Sequence, residues 1–362
     1  MASNALERII RTELAPPRYL ALPAAGIDVS ASGVKLAVLA ERLHGLELVS
    51  YGEERLPLGA VTGGEMTDRA AIVAAVRALT KKHGVRFANV ALSESRSYLF
   101  EAGVEGKGLE AWRTSVEQRL DEYVPLPPSE VAFDVIPVEP DKGVPQVVGI
   151  GYANRVIEES LSAFDEAGIT VRAVETEMFA TPRALLRPGE HETVLIIDIG
   201  RTTTKLAVVS RGVARFATTL EIGGHALTLA VQKHFGVTEE EAKRVKAEHG
   251  LVRTDENGGY LEAMLSTVSV MREEIVRRLD YWQSRAAIGS FHEPVTRAIL
   301  IGGNATVRGL PEYLETSLKV PVALGDVFTN LAPKDHWLPP LDYLESLAYA
   351  TAIGLALRDY DA

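Results

Sequence analysis

The feature of this sequence that most constrains its fold is a short pattern that occurs twice. Residues 27–39 (IDVSASGVKLAVL) align without a gap to residues 197–209 (IDIGRTTTKLAVV), with six identities in thirteen positions. The offset between the copies is a constant 170 residues. Each copy is a β-branched run ending in Asp, a turn of small and hydroxylated residues, and an apolar run, which is the pattern of a β-hairpin. The repeat predicts two similar hairpins in a fold with two lobes.

The turns of the two hairpins are candidate anion sites. Turns rich in Gly, Ser and Thr direct backbone N–H groups and hydroxyls inward, and such a concave nest binds anions. Asp28 and Asp198 would repel a bare phosphate, but they suit a phosphate that is bound together with Mg²⁺ and its waters. The sequence therefore predicts a polyphosphate between two lobes. The alternative is two ordinary hairpins of a duplicated fold around an inactive pocket.

The bulk composition of the chain excludes several classes of protein. A net charge of −11 and a pI of about 5.4 oppose binding to the phosphate backbone of nucleic acids. The absence of cysteine excludes disulfides, thiol catalysis and thiolate zinc sites, and the eight histidines show no ligand spacing such as His-x3-His. No apolar run reaches the about 18 residues that span a bilayer, and the start of the chain lacks the hydrophobic stretch of a signal peptide. We therefore expect a cytoplasmic globular protein.

The segment between the hairpins reads as alternating strands and helices, followed by a change of texture near residue 101. A strand pair turning at His44-Gly45, a helix at about 69–83 and a buried strand at FANVALSES predict an α/β lobe. After them, a helix, a proline-rich turn (PLPPSE), two strands and another helix predict a compact inserted module.

These changes of pattern predict four parts of the chain. The N-terminal arm carries Leu6, Ile9, Ile10 and Leu14 on one face of a short predicted helix, which would contact a membrane, a partner or, most simply, its own domain. The predicted parts are an arm at 1–23, a first lobe at 24–100 that continues at 173–190 and 341–362, an inserted subdomain at 101–172, and a second lobe at 191–340.

A third motif lies about a hundred residues after the second hairpin. Residues 298–310 (AILIGGNATVRGL) are an apolar strand that ends in Gly302-Gly303. A ligand can approach the main chain closely at such a pair, because neither glycine has a Cβ. A helix that opens at Asn304 or Ala305 would point its positive end at the ligand.

Taken together, these motifs resemble the actin-like ATPase superfamily, whose members bind ATP between two lobes with two phosphate hairpins and an adenosine motif. Within it the chain is similar to the PilM family of type IV pilus assembly, which is itself similar to the division protein FtsA, and the similarity runs from about Leu20 to the end. The fold this implies is α/β, with two lobes each built on a mixed β-sheet flanked by helices and an inserted small α/β subdomain. The segments that carry the resemblance are GIDVSASGVKL, EYVPLPPSEVAFD, LIIDIGRTTTKLAVV, EIGGHALT, EEIVRRLDYW, ILIGGNATVRGLPEYL and AYATAIGLALR.

The resemblance also implies a set of site residues for ATP and Mg²⁺. The first phosphate loop would be Asp28, Ser30, Ala31, Ser32 and Lys35, and the second would be Asp198, Gly200, Thr202, Thr203 and Thr204. The rest of the nucleotide site would be Gly302, Gly303 and Asn304 at the adenosine, Gly223 and Gly224 at the base of the second lobe, and Glu240, Lys243 and Lys246 of EEEAKRVKAEHG near the ribose and adenine. Asp28 and Asp198 would hold Mg²⁺ through water.

The partner and location are also implied by the resemblance. The inserted module matches the subdomain by which PilM-like proteins receive the short N-terminal cytoplasmic peptide of PilN, an inner-membrane protein. A groove between a helix and a strand edge is a suitable receptor for an extended peptide. The expected function is thus a cytoplasmic nucleotide-binding adaptor, peripheral to the inner membrane through its partner and capable of self-association. The alternatives are an FtsA-like filament-forming protein and a small-metabolite kinase of the same superfamily.

The sequence departs from the superfamily pattern at several positions. Ser30 replaces a usual glycine, and Lys205 stands where many members carry an acid that organises metal and water. If Lys246 and Gly250 set the alignment of its helix, Lys243 stands where an acid often faces the nucleotide. In a shifted alignment, Glu240 and Lys243 face the nucleotide instead. No residue identifies itself as the group that positions an attacking water, so we expect slow ATP hydrolysis or none.

Three basic residues of the hairpins have a second interpretation. Lys35 and Lys205 are equally compatible with solvated strand positions, and Arg201 with an exposed turn residue rather than a phosphate ligand.

Overall fold

The structure, a computed structural model, describes residues 24–138, 145–254, 257–287 and 292–360. The arm that the sequence predicts at 1–23 lies outside the described residues, together with the four apolar positions of its helix. The strands are β1 (Ala25–Val29), β2 (Gly33–Arg42), β3 (Gly45–Arg55), β4 (Val61–Thr62), β5 (Glu65–Met66), β6 (Phe87–Leu92), β7 (Ser97–Gly103), β8 (Val131–Val138), β9 (Gln146–Ala153), β10 (Thr170–Thr176), β11 (Thr193–Ile199), β12 (Thr204–Ser210), β13 (Val213–Leu220), β14 (Arg297–Ile301) and β15 (Val322–Leu324).

The helices include the one that the sequence predicts at 69–83. They are α1 (Arg69–His83), α2 (Leu109–Glu117), α3 (Leu120–Tyr123), α4 (Asn154–Glu166), α5 (Glu177–Leu185), α6 (Gly224–Phe235), α7 (Glu239–His249), α8 (Gly258–Ala287), α9 (Leu310–Leu318), α10 (Tyr343–Ser346) and α11 (Ala350–Leu357). Among the described helices, none has the length and apolar character needed to cross a membrane.

Two five-stranded sheets of the same design form the two lobes. The first has the spatial order β3–β2–β1–β6–β10, and the second has the order β13–β12–β11–β14–β15. In each sheet the first three strands are antiparallel, and the last two run parallel to the central strand. This confirms the predicted α/β architecture of two mixed sheets.

The two predicted hairpins have the same register. Asp28 lies opposite Lys35 in the β1–β2 ladder, and Asp198 lies opposite Lys205 in the β11–β12 ladder. The offset of 170 residues therefore holds on both strands of each hairpin. Since register fixes which face every side chain occupies, the repeat in sequence is a repeat in three dimensions.

Helix α11 packs closely on the first sheet and on α5 because its residues are small. A Cβ on Gly354 would lie closer than 3.0 Å to the carbonyl oxygen of Ala180, and a Cβ on Gly26 would lie that close to the carbonyl oxygen of Ala352. Real Cβ atoms essentially never approach a neighbour so closely. The backbones of β1, α5 and α11 therefore meet in a junction that accepts no added methyl group.

A third sheet, with the order β7–β9–β8, carries α2 and α3 and has a small core of its own. Val116 and Leu120 of the helices pack there with Val135 and Val147 of the strands. The next helix, α4, instead buries Phe164 in the core of the first lobe. The limits of the inserted subdomain stay a prediction.

The helix predicted to open at Asn304 or Ala305 is wrong. Residues 303–306 form turns, and the next helix, α9, begins at Leu310. The N–H of Asn304 donates to the carbonyl of Ile199 at 3.2 Å rather than entering a helical ladder. Gly309 has a left-handed backbone with φ of 78°, and a proline in the first turn of α9 favours a helix start at that point.

Candidate functional site

A cleft of about 630 Å³ lies between the two lobes, and both hairpin turns face it. This volume falls within the range of about 300–1,000 Å³ that is usual for small-molecule sites. All but three of the predicted nucleotide residues line it. Those that do are Asp28, Ser30, Ala31, Ser32, Lys35, Asp198, Gly200, Thr203, Gly224, Glu240, Lys243, Lys246, Gly302, Gly303 and Asn304.

The other three predicted residues lie behind the wall of the cleft. Thr202 borders a smaller cavity behind the two turns. Thr204 is fully buried, and its hydroxyl donates to the carbonyl of Ile222 at 2.7 Å. A Cβ on Gly223 would lie 2.7 Å from the carbonyl carbon of Thr202. These three residues therefore pack behind the second hairpin and do not line the cleft.

The first hairpin turn is closed by a pair of short backbone hydrogen bonds. The N–H of Ser30 donates to the carbonyl of Gly33 at 3.0 Å, and the N–H of Gly33 donates back at 3.2 Å. The ammonium of Lys35 donates to the hydroxyl of Ser32 at 2.8 Å and lies 3.4 Å from a carboxylate oxygen of Glu53. Lys35 is only 5% exposed, so its interpretation as a solvated residue is wrong.

The second hairpin turn is joined to the start of helix α6. The N–H of Gly200 donates to the carbonyl of Thr203 at 2.9 Å, and the N–H of Gly224 donates to the carbonyl of Gly200 at 3.0 Å. Arg201 lines the cleft, and its guanidinium reaches the carbonyl of Leu56 in the first lobe at 3.5 Å. The tip of this turn therefore contacts both lobes.

The glycine motif after β14 is held against the second hairpin by Asn304. Its amide nitrogen donates to the carbonyl of Gly200 at 2.9 Å, and its amide oxygen accepts from the ammonium of Lys246 at 2.9 Å. Lys246 also donates to the carbonyl of Gly224 at 3.2 Å and to the hydroxyl of Thr228 at 3.1 Å. Burial, together with nearby Lys243, lowers the pKa of Lys246 to about 8.

At two glycines of the site, neighbouring protein side chains leave no room for a Cβ atom. A Cβ on Gly224 would overlap the side-chain amide of Asn304, and a Cβ on Gly302, where φ is 89°, would overlap the carboxylate of Asp198. The sequence motif pointed to the absence of side chains at Gly302 and assigned it to ligand approach. The structure gives a reason that is internal to the protein.

The three predicted residues of helix α7 all line the cleft but differ in burial. Lys246 points into the buried network around Asn304, whereas Lys243 lies at the rim and pairs with Glu239 at 2.9 Å and with Glu240 at 3.0 Å. These rim pairs raise the pKa of Lys243, chiefly through its hydrogen bond to Glu239.

A cluster of buried charges beneath the two turns was missed by sequence reasoning. Lys205 forms an ion pair with Glu177, the first residue of α5, and Thr219 of β13 donates a hydrogen bond to Glu94. Both carboxyl groups lie at the ends of parallel strands, Glu177 directly after β10 and Glu94 two residues beyond β6. Polar residues at the carboxyl ends of parallel strands in an α/β sheet are the available signal for such a site.

The protonation of this cluster is set by burial and by its one lysine. Burial raises the pKa of Glu177 well above its usual range in spite of Lys205. Burial alone would also raise the pKa of Glu94, but Lys205 and hydrogen bonds from Glu177 and Thr219 hold it below its usual value. Among the described residues, the second carboxylate oxygen of Glu94 is buried without a hydrogen-bond donor.

Lys205 is therefore a cation paired with acids, although its side chain is 23% exposed. Burial opposes its charge, but the carboxyl groups of Glu177 and Glu94, and then Asp198, raise its pKa well above the usual value. The position where the resemblance expects an acid thus carries a cation that is saturated by neighbouring acids.

The carboxylates of the cleft suit a metal that is bound mainly by water and phosphate. Asp28 and Asp198 both line the cleft, and burial, with Asp28 among the nearby charges, raises the pKa of Asp198. Within the described ranges, no group of three or more His, Asp or Glu side chains could hold a metal by itself. Mg²⁺ usually takes one or two carboxylates and completes its shell with water and phosphate oxygens, so these residues fit Mg²⁺ in that form.

Comparison with known proteins gives a consistent set of similarities. The model of a family described as "Type IV pilus assembly protein PilM" matches residues 26–360. Cell division protein FtsA of Neisseria meningitidis serogroup B (strain ATCC BAA-335 / MC58) is 22% identical over 384 residues, covering 93% of this chain and 89% of FtsA. FtsA of Escherichia coli (strain K12) is 23% identical over 230 residues, covering 56% of this chain and 52% of that protein.

Solved structures with the same fold include a PilM-PilN type IV pilus biogenesis complex, with a TM-score of 0.75 and 22% identity over 94% of this chain and 99% of the other. MreB5 of Spiroplasma citri bound to ADP has a TM-score of 0.54 and 13% identity over 94% of this chain and 99% of MreB5. These likenesses confirm the predicted actin-like fold.

Proposed function

Because the chain belongs to the PilM family of type IV pilus assembly proteins, we propose that it is a nucleotide-binding adaptor of pilus assembly. ATP binds with Mg²⁺ between the two lobes, and the inserted subdomain at 101–172 docks the N-terminal cytoplasmic peptide of a PilN-like inner-membrane protein. The protein then works at the cytoplasmic face of the inner membrane through that partner.

The observation that carries the nucleotide proposal is the pair of hairpins with one register, whose turns face one cleft of about 630 Å³. In this proposal Ser30–Ser32, together with Gly200, Arg201 and Thr203, supply N–H groups and hydroxyls to the phosphates. Lys35 supplies a nearby positive charge, since its ammonium already lies on the first turn. Asp28 and Asp198 hold Mg²⁺ through water, and the metal neutralises phosphate charge.

The adenosine end of the site lies between α7 and the glycine motif. Gly302, Gly303 and Asn304 border the cleft on one side, and Glu240 and Lys243 border it on the other. The amide of Asn304 is already bonded to Gly200 and Lys246, so its role in the proposal is to fix the geometry of the site.

Hydrolysis is expected to be slow or absent because the buried acids beneath the turns are engaged with Lys205. A general base must be able to accept a proton from an attacking water. Glu177 borders the small cavity behind the turns and is not among the residues that line the cleft, and its carboxylate is held by Lys205. Turnover below about 1 s⁻¹, under the ordinary enzyme range, is the expected result of a phosphate-release assay.

The docking proposal is supported by a groove of about 390 Å³ next to the inserted sheet. Its walls are residues 95–98, Leu126, Ser129, Glu130 and residues 153–156 at the start of α4. Strand β7 is an edge strand in the order β7–β9–β8, and an edge strand can bind an extended peptide through its main chain while pockets take alternate side chains. A PilM-PilN complex has the same fold.

Isothermal titration calorimetry tests both halves of the proposal. Mg-ATP should bind with one site per chain, and Lys35→Ala should weaken binding about 10-fold to 100-fold, as expected for the loss of a charged hydrogen bond. The control Lys319→Ala lies just after the last residue of α9, away from the cleft, and should bind ATP normally. Absence of heat with Mg-ATP would contradict the nucleotide site.

The peptide half uses the N-terminal cytoplasmic peptide of the PilN-like protein of the same organism. Saturable heat supports docking, and no heat with or without Mg-ATP would contradict the adaptor function.

A filament-forming role is a second candidate, because an FtsA protein matches along 93% of this chain. Electron microscopy with and without Mg-ATP distinguishes the two. Long polymers would favour the FtsA-like role, whereas dispersed particles would favour the adaptor.

A further inference from the structure

We propose that residues 94–101, here called the coupling segment, link the interlobe cleft to the groove on the inserted subdomain, so that nucleotide and partner peptide change each other's affinity. This inference rests on the proposed function, because it requires both ligands to bind. The segment has one end beneath the cleft, its middle in the wall of the groove, and its other end fixed to the second lobe.

The first end of the coupling segment joins the two lobes beneath the hairpin turns. Glu94 is 8% exposed and begins a short 3-10 turn after β6. It accepts a hydrogen bond from Thr219 of the second lobe, and it borders one small cavity together with Glu177 of the first lobe and Lys205, whose charge attracts it. One carboxyl group thus contacts both lobes directly under the cleft.

The middle of the coupling segment forms a wall of the groove. Residues 95–98 line it, together with the start of α4. The hydroxyl of Ser95 donates to the carbonyl of Gly63 at 3.3 Å, and Arg96 pairs with Glu65 at 2.5 Å. Glu94 is joined by one peptide bond to Ser95, the first residue of the groove wall. A movement of Glu94 is therefore transmitted to side chains that a docked peptide would contact.

The far end of the coupling segment is anchored to the same strand of the second lobe as the first end. The carboxylate of Glu101 pairs with Arg215 and lies 3.1 Å from the ring of His292. Arg215 and Thr219 both lie on β13. Breaking a buried pair such as Glu101–Arg215 leaves an uncompensated charge, which is strongly unfavourable. Strand β7 is therefore expected to follow β13 when the second lobe moves.

The electrostatics of the cluster give the cleft a means to act on this segment. A polyphosphate in the turns places negative charge near Lys205, which borders the cleft, and so competes with Glu94 and Glu177 for its ammonium. Charges a few ångströms apart in a poorly solvated site interact strongly. Since coupling between two sites is reciprocal, a peptide that fixes the groove wall must change nucleotide affinity by the same factor.

The coupling is tested with a matched pair of variants at Thr219. Thr219→Val removes the hydroxyl that holds Glu94 and keeps the shape, whereas Thr219→Ser keeps the hydroxyl. The dissociation constant of the PilN-like N-terminal peptide is measured by calorimetry without nucleotide and with saturating Mg-ATP. We expect the two constants to differ at least fivefold, the lower end of usual couplings, in the wild type and Thr219→Ser, and less than twofold in Thr219→Val.

The outcomes separate this inference from the function on which it rests. If either ligand fails to bind the wild type, the proposed function and the coupling both fail. If both bind and the peptide constant is the same with and without Mg-ATP, the coupling alone is refuted. A fivefold difference that persists in Thr219→Val overturns the assignment to the coupling segment.

Hydrogen exchange provides a second readout that needs no peptide and covers the case in which Thr219→Val folds poorly. In the wild type, Mg-ATP should change the exchange rates of amides in residues 95–103, on the groove wall and β7. Unchanged exchange there, at a nucleotide concentration that saturates the cleft, contradicts the coupling.

Discussion

The substitution Gly224→Ala tests how the glycine motif is held against the second hairpin. A Cβ at this position would lie closer than 3.0 Å to the side-chain amide of Asn304, so that amide must leave its place. It then loses its 2.9 Å hydrogen bond to the carbonyl of Gly200 and the one it accepts from Lys246 at 2.9 Å. A neutral hydrogen bond contributes about 1 kcal/mol and one to a charged group about 1.5–3 kcal/mol. We expect Gly224→Ala to lower the free energy of unfolding by about 2–4 kcal/mol.

Urea denaturation measures this change, and two further variants identify its cause. Gly258→Ala is the matched control, because a Cβ there meets no atom within 4 Å and alanine favours the helix; it should be neutral or stabilising. Asn304→Ala removes the group that the new methyl would strike. If the clash with Asn304 is the mechanism, Gly224→Ala should cost much less in the Asn304→Ala background, because contacting residues are not additive. A loss below about 0.5 kcal/mol, or full additivity in the double variant, would refute the reasoning.

Three further predictions follow from packing and charge. Lys205→Met leaves two carboxyl groups buried without their cation and should lower the free energy of unfolding by about 3–5 kcal/mol at pH 7. The loss should be smaller in acid, because the carboxyl groups are then protonated. Urea titrations at pH 7 and pH 4 measure both losses. The pKa of Lys246 is about 8 in the folded protein, against the usual value of 10.5. Between these pH values the unfolded chain binds more protons than the folded chain, so the stability of the wild type relative to Lys246→Met should rise with pH. Parallel curves of unfolding free energy against pH for the two proteins would contradict this. Gly354→Ala places a methyl closer than 3.0 Å to the carbonyl of Ala180 and should cost about 3 kcal/mol or more, measured by thermal unfolding; an unchanged midpoint would show that α5 and α11 can separate freely.

The hairpins are the part of the fold that the sequence predicted most completely. Six identities, two on the first strand and four on the second, leave one consistent register, and the structure has Asp28 opposite Lys35 and Asp198 opposite Lys205. Local patterns of this kind are readable because the strand period and the turn residues act within about a dozen positions. The nucleotide roles of these residues stay a prediction.

The buried cluster was not predicted because its members are distant in sequence and ordinary in local context. Thr219 and Glu94 are separated by 125 residues, and Lys205 and Glu177 by 28. Nothing within a window around Glu94 distinguishes it from an exposed acid after a strand. Only the packing of both sheets against the lead into the inserted subdomain makes it a buried contact between lobes.

The roles of the glycines could not be predicted for a related reason. A Gly-Gly pair shows that side chains are excluded, but it does not show which neighbour excludes them. For Gly302 the neighbour is the carboxylate of Asp198 and the backbone of Ile199. The same close approach explains why the chain turns at 302–309 instead of forming a helix at Asn304, whose side chain and N–H are both bonded to the second hairpin.

The repeated Asp and Lys pairs show how far a sequence repeat extends into function. Lys35 faces the hydroxyl of Ser32 and a carboxylate of Glu53 whose side chain is 33% exposed, so solvent can replace either partner. Lys205 faces Glu177, whose side chain is 6% exposed, and separating that pair would leave a buried charge uncompensated. Both lysines border the cleft, so a polyphosphate displaces a partly exposed carboxylate from Lys35, whereas at Lys205 it competes with acids that are buried. The two hairpins share one register, but only the second lysine connects the cleft to the acids on which the lobes and the inserted subdomain converge.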